Sequence, residues 1–160
     1  MNGSTGNKAS GASESPDRGE VFLSLSMAQR MLPLVQRIVE DMRASQQVID
    51  KLRPEQARLE RQRRQLAWPE RQRRYQLSEE LSNAEKTLEN SLEEMQTLSV
   101  SLLDPEIGRV GFPTLVNDRR AFFSWRPGEE GVQSWHFAGE SVCRPIPNSW
   151  LRELAMAGKR

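Results

Sequence analysis

The chain has 160 residues, 36% apolar and 28% charged, with 23 Lys and Arg against 22 Asp and Glu for a net charge of +1. An average domain is nearer half apolar, so the composition predicts one domain with a thin core, and the balanced charge excludes a protein-wide field for nucleic acid or membrane. One Cys and one His exclude an internal disulfide framework, an all-cysteine metal site and a multi-histidine centre.

Residues 1–19 are rich in Gly, Ser, Asn and charge and hold no large apolar residue after Met1. Such a stretch buries too little surface to offset its ordering entropy, so it reads as a disordered tail. It also lacks the apolar core of a secretory signal, and no segment reaches the roughly 18 apolar residues of a membrane span. The expectation is a cytoplasmic protein with no membrane contact.

No Gly occurs from Val21 to Ile107. Val21-Phe22-Leu23 reads as a short leading strand, after which Ser24 or Ser26 can cap a helix. Two rows then repeat every seven residues: Ala28, Val35, Met42, Ile49, Gln56, Arg63 and Met31, Ile38, Ser45, Leu52, Leu59, Leu66. This spacing of threes and fours turns one stripe toward a partner helix. The first row becomes polar at Gln56 and Arg63, so the contact should be dry at the base and loose toward the far end. A second stripe runs through Leu77, Leu81, Ala84, Leu88, Ser91, Met95, Leu98 and Leu102. The pattern predicts an antiparallel hairpin with helix one over about 25–67 and helix two over about 70–98. Pro33 should kink helix one and Pro54 should kink or split it. The reversal is placed at Ala67-Trp68-Pro69, with Pro54 as the alternative.

Charge is uneven along this hairpin. Residues 51–76 hold nine cations against three glutamates, net +6, and residues 77–96 hold six glutamates against Lys86, net −5. RQRR occurs twice, at 61–64 and 71–74. A reversal between the copies gathers Arg61, Arg63, Arg64, Trp68, Arg71, Arg73 and Arg74 at one basic tip. That tip could bind an acidic protein or phosphate backbones, or it could be a solvated helix end; no base-reading motif accompanies it.

After Leu103 the composition shifts to Gly, Pro and aromatics. Residues 104–108 read as a turn, and Phe112-Pro113 and Asn117-Asp118 bracket a loop. Residues 119–126 and 132–138 read as a hairpin with a five-residue loop over 127–131. Its pairing puts Phe123, Trp125, Gln133, Trp135 and Phe137 on a face covering the hairpin base. Phe122, Ser124, Arg126, Val132, Ser134 and His136 lie on the other. Arg126 and His136, with Arg144, form a candidate anion site; a hydrogen-bonded structural His is the competing reading. Residues 142–146 can add a strand, and Asn148 can cap a last helix whose apolar side is Trp150, Leu151 and Leu154. Cys143 precedes Arg144 but has neither a second Cys nor an adjacent His, which favours an inert residue.

The run Leu102-Leu103-Asp104-Pro105-Glu106-Ile107-Gly108-Arg109-Val110-Gly111-Phe112-Pro113 resembles the "KDP..GLVDFP" segment of a bacterial family, domain of unknown function 2203. Phe123-Ser124-Trp125-Arg126-Pro127-Gly128-Glu129 is similar to its "LCWRLGE", and Val132-Gln133-Ser134-Trp135-His136 to its "VRFWHE". Arg144-Pro145-Ile146 and the opening around Phe22 and Leu32 also fit, so the resemblance spans about 21–146, as a divergent member. It implies a helical hairpin joined to a small antiparallel sheet and carries no activity. Gly111, Ser124 and Phe137 stand where the family pattern has Asp, Cys and Glu.

The fold class expected is therefore α+β, mostly helical. A long antiparallel, coiled-coil hairpin over 20–99 is capped by a small antiparallel β-sheet and a short C-terminal helix over 100–160, packed on the hairpin base as one domain. No nucleotide loop, metal motif or catalytic constellation is present, so no cofactor, metal or enzyme is expected. An adaptor acting through its hairpin fits best, and apolar edges at Leu32, Leu34 and Leu92 suggest a homodimer. The alternatives are a small anionic-ligand module at Arg126 and His136, and weak nucleic-acid binding at the tip.

Overall fold

The computed structural model describes residues 20–157; the tail expected over 1–19 lies outside the described residues, as does the side chain of Leu154. Helix α1 spans Leu25–Arg61 and helix α2 spans Trp68–Thr97, packed along each other as the hairpin the heptad rows predict. Ser24 is the α1 cap: its backbone is extended and its side chain accepts from the Met27 amide at 3.2 Å. Val21–Leu23 do not form the leading strand. They make one backbone hydrogen bond, Leu23 N to the Pro113 carbonyl at 2.6 Å, too little for a ladder.

Neither proline ends α1. An interior proline costs about 3 kcal/mol. Both prolines are exposed, on the outside of the hairpin. Across Pro54 the apolar seam continues: Ile49, Leu52, Leu59 and Leu66 form a cluster with Leu77, Leu81 and Ala84. Burying a single aliphatic side chain contributes about 1.5–3 kcal/mol, so four together outweigh one broken turn. The far end is closed, not loose, because the Leu52, Leu59, Leu66 row stays apolar after the other row turns polar.

The reversal comes earlier than expected, over 62–67. Arg63–Gln65 form a 3₁₀ turn with Gln65 N bonded to the Gln62 carbonyl at 2.8 Å. No glycine is needed there. Leu66 leaves the helix but keeps its seam position, folding inward against the tip cluster. Ala67 precedes α2, and Pro69 sits in its first turn, where a missing amide costs nothing. At the other end Ser99 is left-handed (φ 60°), and Val100 N reaches the Met95 carbonyl at 3.1 Å to close α2.

Five strands follow as an antiparallel meander in chain order: β1 Ser101–Asp104, β2 Arg109–Val116, β3 Arg119–Trp125, β4 Ser134–Phe137 and β5 Arg144–Pro145. Phe112-Pro113, expected to flank a loop, lie inside β2. The Pro113 carbonyl points to Leu23, away from β3. In an antiparallel pair a residue's N and carbonyl face the same side, so the missing amide of Pro113 points to an edge that β1 does not reach. Asn117 and Asp118 form the two-residue loop from β2 to β3, both with positive φ (52° and 59°). The loop from β3 to β4 is longer than the five residues expected, and Gln29 of α1 holds it. Its side-chain amide exchanges two hydrogen bonds of 3.3 Å with the Val132 backbone. Val132 is thereby buried in the core and not on the polar face.

The register pairs Phe123 with Trp135 and Phe122 with His136, which confirms the two faces expected for the paired residues. Val110, Phe112, Phe123, Trp125 and Trp135 pack on Ala28, Leu32, Val35, Ile38 and Met42 of α1 and Met95 of α2. Leu32 is thus buried, not an apolar edge; Leu34 and Leu92 are the exposed ones, at 48% and 43%. Helix α3, Asn148–Ala157, lays Trp150 on Phe123 and Trp135, with ring centroids 6.2 and 5.4 Å apart. The Pro147 carbonyl receives the Trp150 amide at the start of this helix, and Leu151 faces solvent instead of joining its apolar side. Only Arg144–Pro145 of the strand expected over 142–146 is paired.

Candidate interaction surface and the outer sheet face

The reversal over 62–67 brings both RQRR copies to one end of the hairpin. Ion pairing divides their arginines into two groups. Arg73 grips Glu55 with two bonds, 2.9 and 3.2 Å, and lies 3.7 Å from Glu80. Arg74 reaches Glu60 at 2.6 Å, and Arg53 reaches Glu85 at 3.2 Å. These pairs tie α1 to α2. Arg71 donates its Nε to the Leu66 carbonyl at 3.0 Å, bracing the reversal. Among the described residues, Arg61, Arg63, Arg64 and Arg71 have no carboxylate partner. Trp68, 67% exposed, stands between the two copies, and Tyr75, 72% exposed, one turn beyond Arg71 in α2. Tyr75 was not singled out from the sequence, although it falls on the α2 face opposite the Leu77, Leu81 stripe, where a lone aromatic is itself a signal.

The hydrogen bonds from Arg73 and Arg74 hold the Glu55 and Glu60 carboxyls below the usual carboxylate range. A depressed carboxyl adds stability above its unfolded value and loses it as pH falls through the folded one. The tip end of the hairpin should therefore loosen in acid. Amide hydrogen exchange over 55–75 should accelerate more between pH 5 and pH 3 than exchange over 28–42, after correction for the intrinsic rate. Equal change in both segments would contradict a stabilising role for these pairs.

The three cations of the candidate anion site are not brought together. His136 is buried on the outer sheet face, its ring 5.6 Å from that of Phe122 and its Nδ1 3.9 Å from the Cys143 Sγ. Burial, and then the Arg109 charge, lower its pKa, so the ring is neutral at pH 7. Arg144 sits on the opposite face of β4. It is bonded to Glu140 at 2.8 and 3.2 Å, with its guanidinium 5.1 Å above the Trp135 and Phe137 rings. Arg126 lies beyond the end of β3, four residues or ~13 Å along from Phe122, the partner of His136. Its guanidinium is 3.8 Å from Glu129, whose carboxylate also accepts its amide at 3.0 Å. Neighbouring glutamates, Glu129 and Glu140, thus occupy both arginines.

The register also places the residues that depart from the resembled pattern. Gly111 pairs with Ser124 on the outer face, one row from Phe122 and His136. Leu103, at an irregularity in β1, and Phe122 close over Gly111. A Cβ there would lie 2.8 Å from Leu103 and 2.9 Å from Phe122. Phe137 is on the other face, with the Arg119 guanidinium 4.0 Å above its ring. Leu103 and Phe122 seal the outer face where the pattern has an acid, and a buried serine stands where it has a thiol. Among the described residues, no three His, Cys, Asp or Glu side chains come together as metal ligands, and no helix is long and apolar enough to cross a membrane. A groove of about 580 Å³ between the helices and the β1–β2 turn, floored by Met42, Leu88, Leu92 and Leu102, was not legible in the sequence. Its rim mixes Arg43 with Asp50 and Glu106, so it favours no ligand charge.

A family model described as an uncharacterized conserved protein, DUF2203, matches residues 22–143, roughly three quarters of the chain. No curated protein and no solved structure matches.

Proposed function

Since the chain belongs to the DUF2203 family, whose description names no activity, we propose a function from the geometry: an interaction protein that presents the basic tip of its helical hairpin to an acidic protein surface. One observation carries this reading. Among the described residues, the tip leaves Arg61, Arg63, Arg64 and Arg71 without carboxylate partners and exposes Trp68 and Tyr75 beside them. Exposed Trp, Tyr and Arg are the side chains that dominate binding energy at protein interfaces. The rest of the molecule supports the tip. Arg53, Arg73 and Arg74 lock the helices, and the sheet anchors the base.

The test is capture of partners by the full chain, with nuclease treatment, followed by mass spectrometry. A protein partner should bind the native chain, be lost with Arg63→Glu and Arg64→Glu together, and persist with Arg126→Ala. A partner indifferent to the tip reversal overturns the reading. Binding abolished by nuclease redirects the tip to nucleic acid.

A further inference from the structure

Ion pairing within the chain leaves an asymmetric residue of charge along α2. The pairs described use Arg73, Arg74 and Arg53 with Glu55, Glu60, Glu80 and Glu85. Arg71 remains at one end of the helix. Glu89, Glu93 and Glu94 remain at the other, with no ion pair among the described residues. The buried stripe of α2 is Leu77, Leu81, Ala84, Ser91 and Met95. At 100° per residue the opposite face carries Trp68, Arg71, Tyr75, Glu79, Ser82, Lys86, Glu89 and Glu93, all exposed. This face is basic and aromatic at the start and acidic at the end.

We propose that the partner of this face is a second copy of the chain, bound through antiparallel pairing of the two α2 helices about a two-fold axis at Ser82. This rests on reading the tip as an interaction surface. A two-fold interface is self-complementary: residue i of one copy meets residue j of the other, and j meets i. With the axis at Ser82, positions whose numbers sum to 164 come level. Arg71 then meets Glu93 of the second copy, and Tyr75 meets Glu89, each residue within about 20° of the line through Ser82. Each contact occurs twice, the two Arg71–Glu93 contacts about 33 Å apart and the two Tyr75–Glu89 contacts about 21 Å apart at 1.5 Å per residue. Trp68 falls level with Gln96, within a turn of the exposed Leu92. Ser82 gives a small residue where the helices come closest. The other acids facing this line are Glu79 and Glu85. They lie on opposite flanks of α2, and Glu85 is already held by Arg53. A helix of 30 residues is about 45 Å long, enough for an interface of standard size.

The test is sedimentation equilibrium of the full chain at low and high salt. The native chain should be a dimer at micromolar concentration in low salt and weaken as salt rises. Arg71→Glu and Glu93→Arg should each weaken dimerisation roughly tenfold or more, because one change converts two attractions into two repulsions. The decisive sample is a mixture of these two variants. Each repels itself, but a mixed pair restores both contacts, so mixing two monomeric proteins should give a dimer; the doubly exchanged chain should dimerise alone. A native chain that stays monomeric at 100 μM in low salt overturns the inference, and so does a dimer indifferent to both substitutions. The tip reading fails separately. Glu93→Arg leaves the tip intact, so partner capture that survives Glu93→Arg but not Arg71→Glu keeps the tip reading whether or not the chain self-associates, which sedimentation decides.

Discussion

Truncating Phe112 to Ala should destabilise the protein by about 3–5 kcal/mol, the usual cost of removing a buried aromatic side chain. Phe112 is fully buried in the middle of β2. There it stands level with Phe123 of β3, which is in turn level with Trp135 of β4, and these three rings make the layer that meets α1. A loss of that size is a large share of a typical folding free energy of 5–15 kcal/mol. In a domain of this length it should lower the melting temperature by roughly 10–15 °C. Thermal unfolding followed by circular dichroism measures it directly. A shift of under about 3 °C would mean that the sheet contributes little to holding the hairpin base.

That same position shows what the sequence hides. Phe112-Pro113 reads as a loop because a proline usually breaks a strand ladder. The break is harmless only because the Pro113 nitrogen faces an edge that β1 does not pair, and that depends on β1 beginning only at Ser101, opposite Gly111. No local signal records this. The hairpin is different: its heptad rows name most of the buried residues of both helices, since a helical face is fixed by spacing alone, and miss Leu25, Leu32 and Val39, which join the core shared with the sheet. The reversal point was misplaced for the opposite reason. Leu66 holds its seam position from a 3₁₀ turn as well as it would from a helix, so periodicity runs on past the end of α1. Pro54 misleads too, because the packing that overrides it lies on another helix.

The candidate site divides in the same way. Clustered arginines at a tip were legible from charge and from the repeat. Which of them are free was not. Arg73 and Arg74 are consumed by Glu55 and Glu60, and that pairing depends on how α1 and α2 are staggered across the reversal. The outer sheet face was legible as a face. Arg144 was misjudged because its membership turns on β5 pairing with β4, which sets it over Trp135 and away from His136.

The outer face makes the second large prediction. Gly111→Asp, which restores the acid of the resembled family pattern, should destabilise this chain by about 3 kcal/mol or more. Two effects add. The new Cβ would lie within 3 Å of both Leu103 and Phe122, an overpacking that costs roughly 1–3 kcal/mol. The carboxylate would then enter a buried position opposite Ser124, itself buried, at a further cost of a few kcal/mol unless it stays protonated. In urea, with a slope of about 2 kcal/mol per molar, the midpoint should fall by roughly 1.5 M at unchanged slope. The two effects separate by pH. Burial raises the folded-state pKa of the new acid, so the ionisation part of the deficit shrinks as pH falls below that value. It is gone below about pH 3.9, where the unfolded chain is protonated too, while the steric part remains at every pH. Leu103→Ala in the same chain removes one of the two obstructing side chains and should recover part of the steric loss. If Gly111→Asp leaves the midpoint unchanged, Leu103 and Phe122 do not seal the face, and a neighbour must supply the acid with a partner. If it behaves as expected, Leu103 and Phe122 occupy in this chain the space that the family pattern gives to an acid. The outer face is then committed to holding the sheet together and does not hold an acid there.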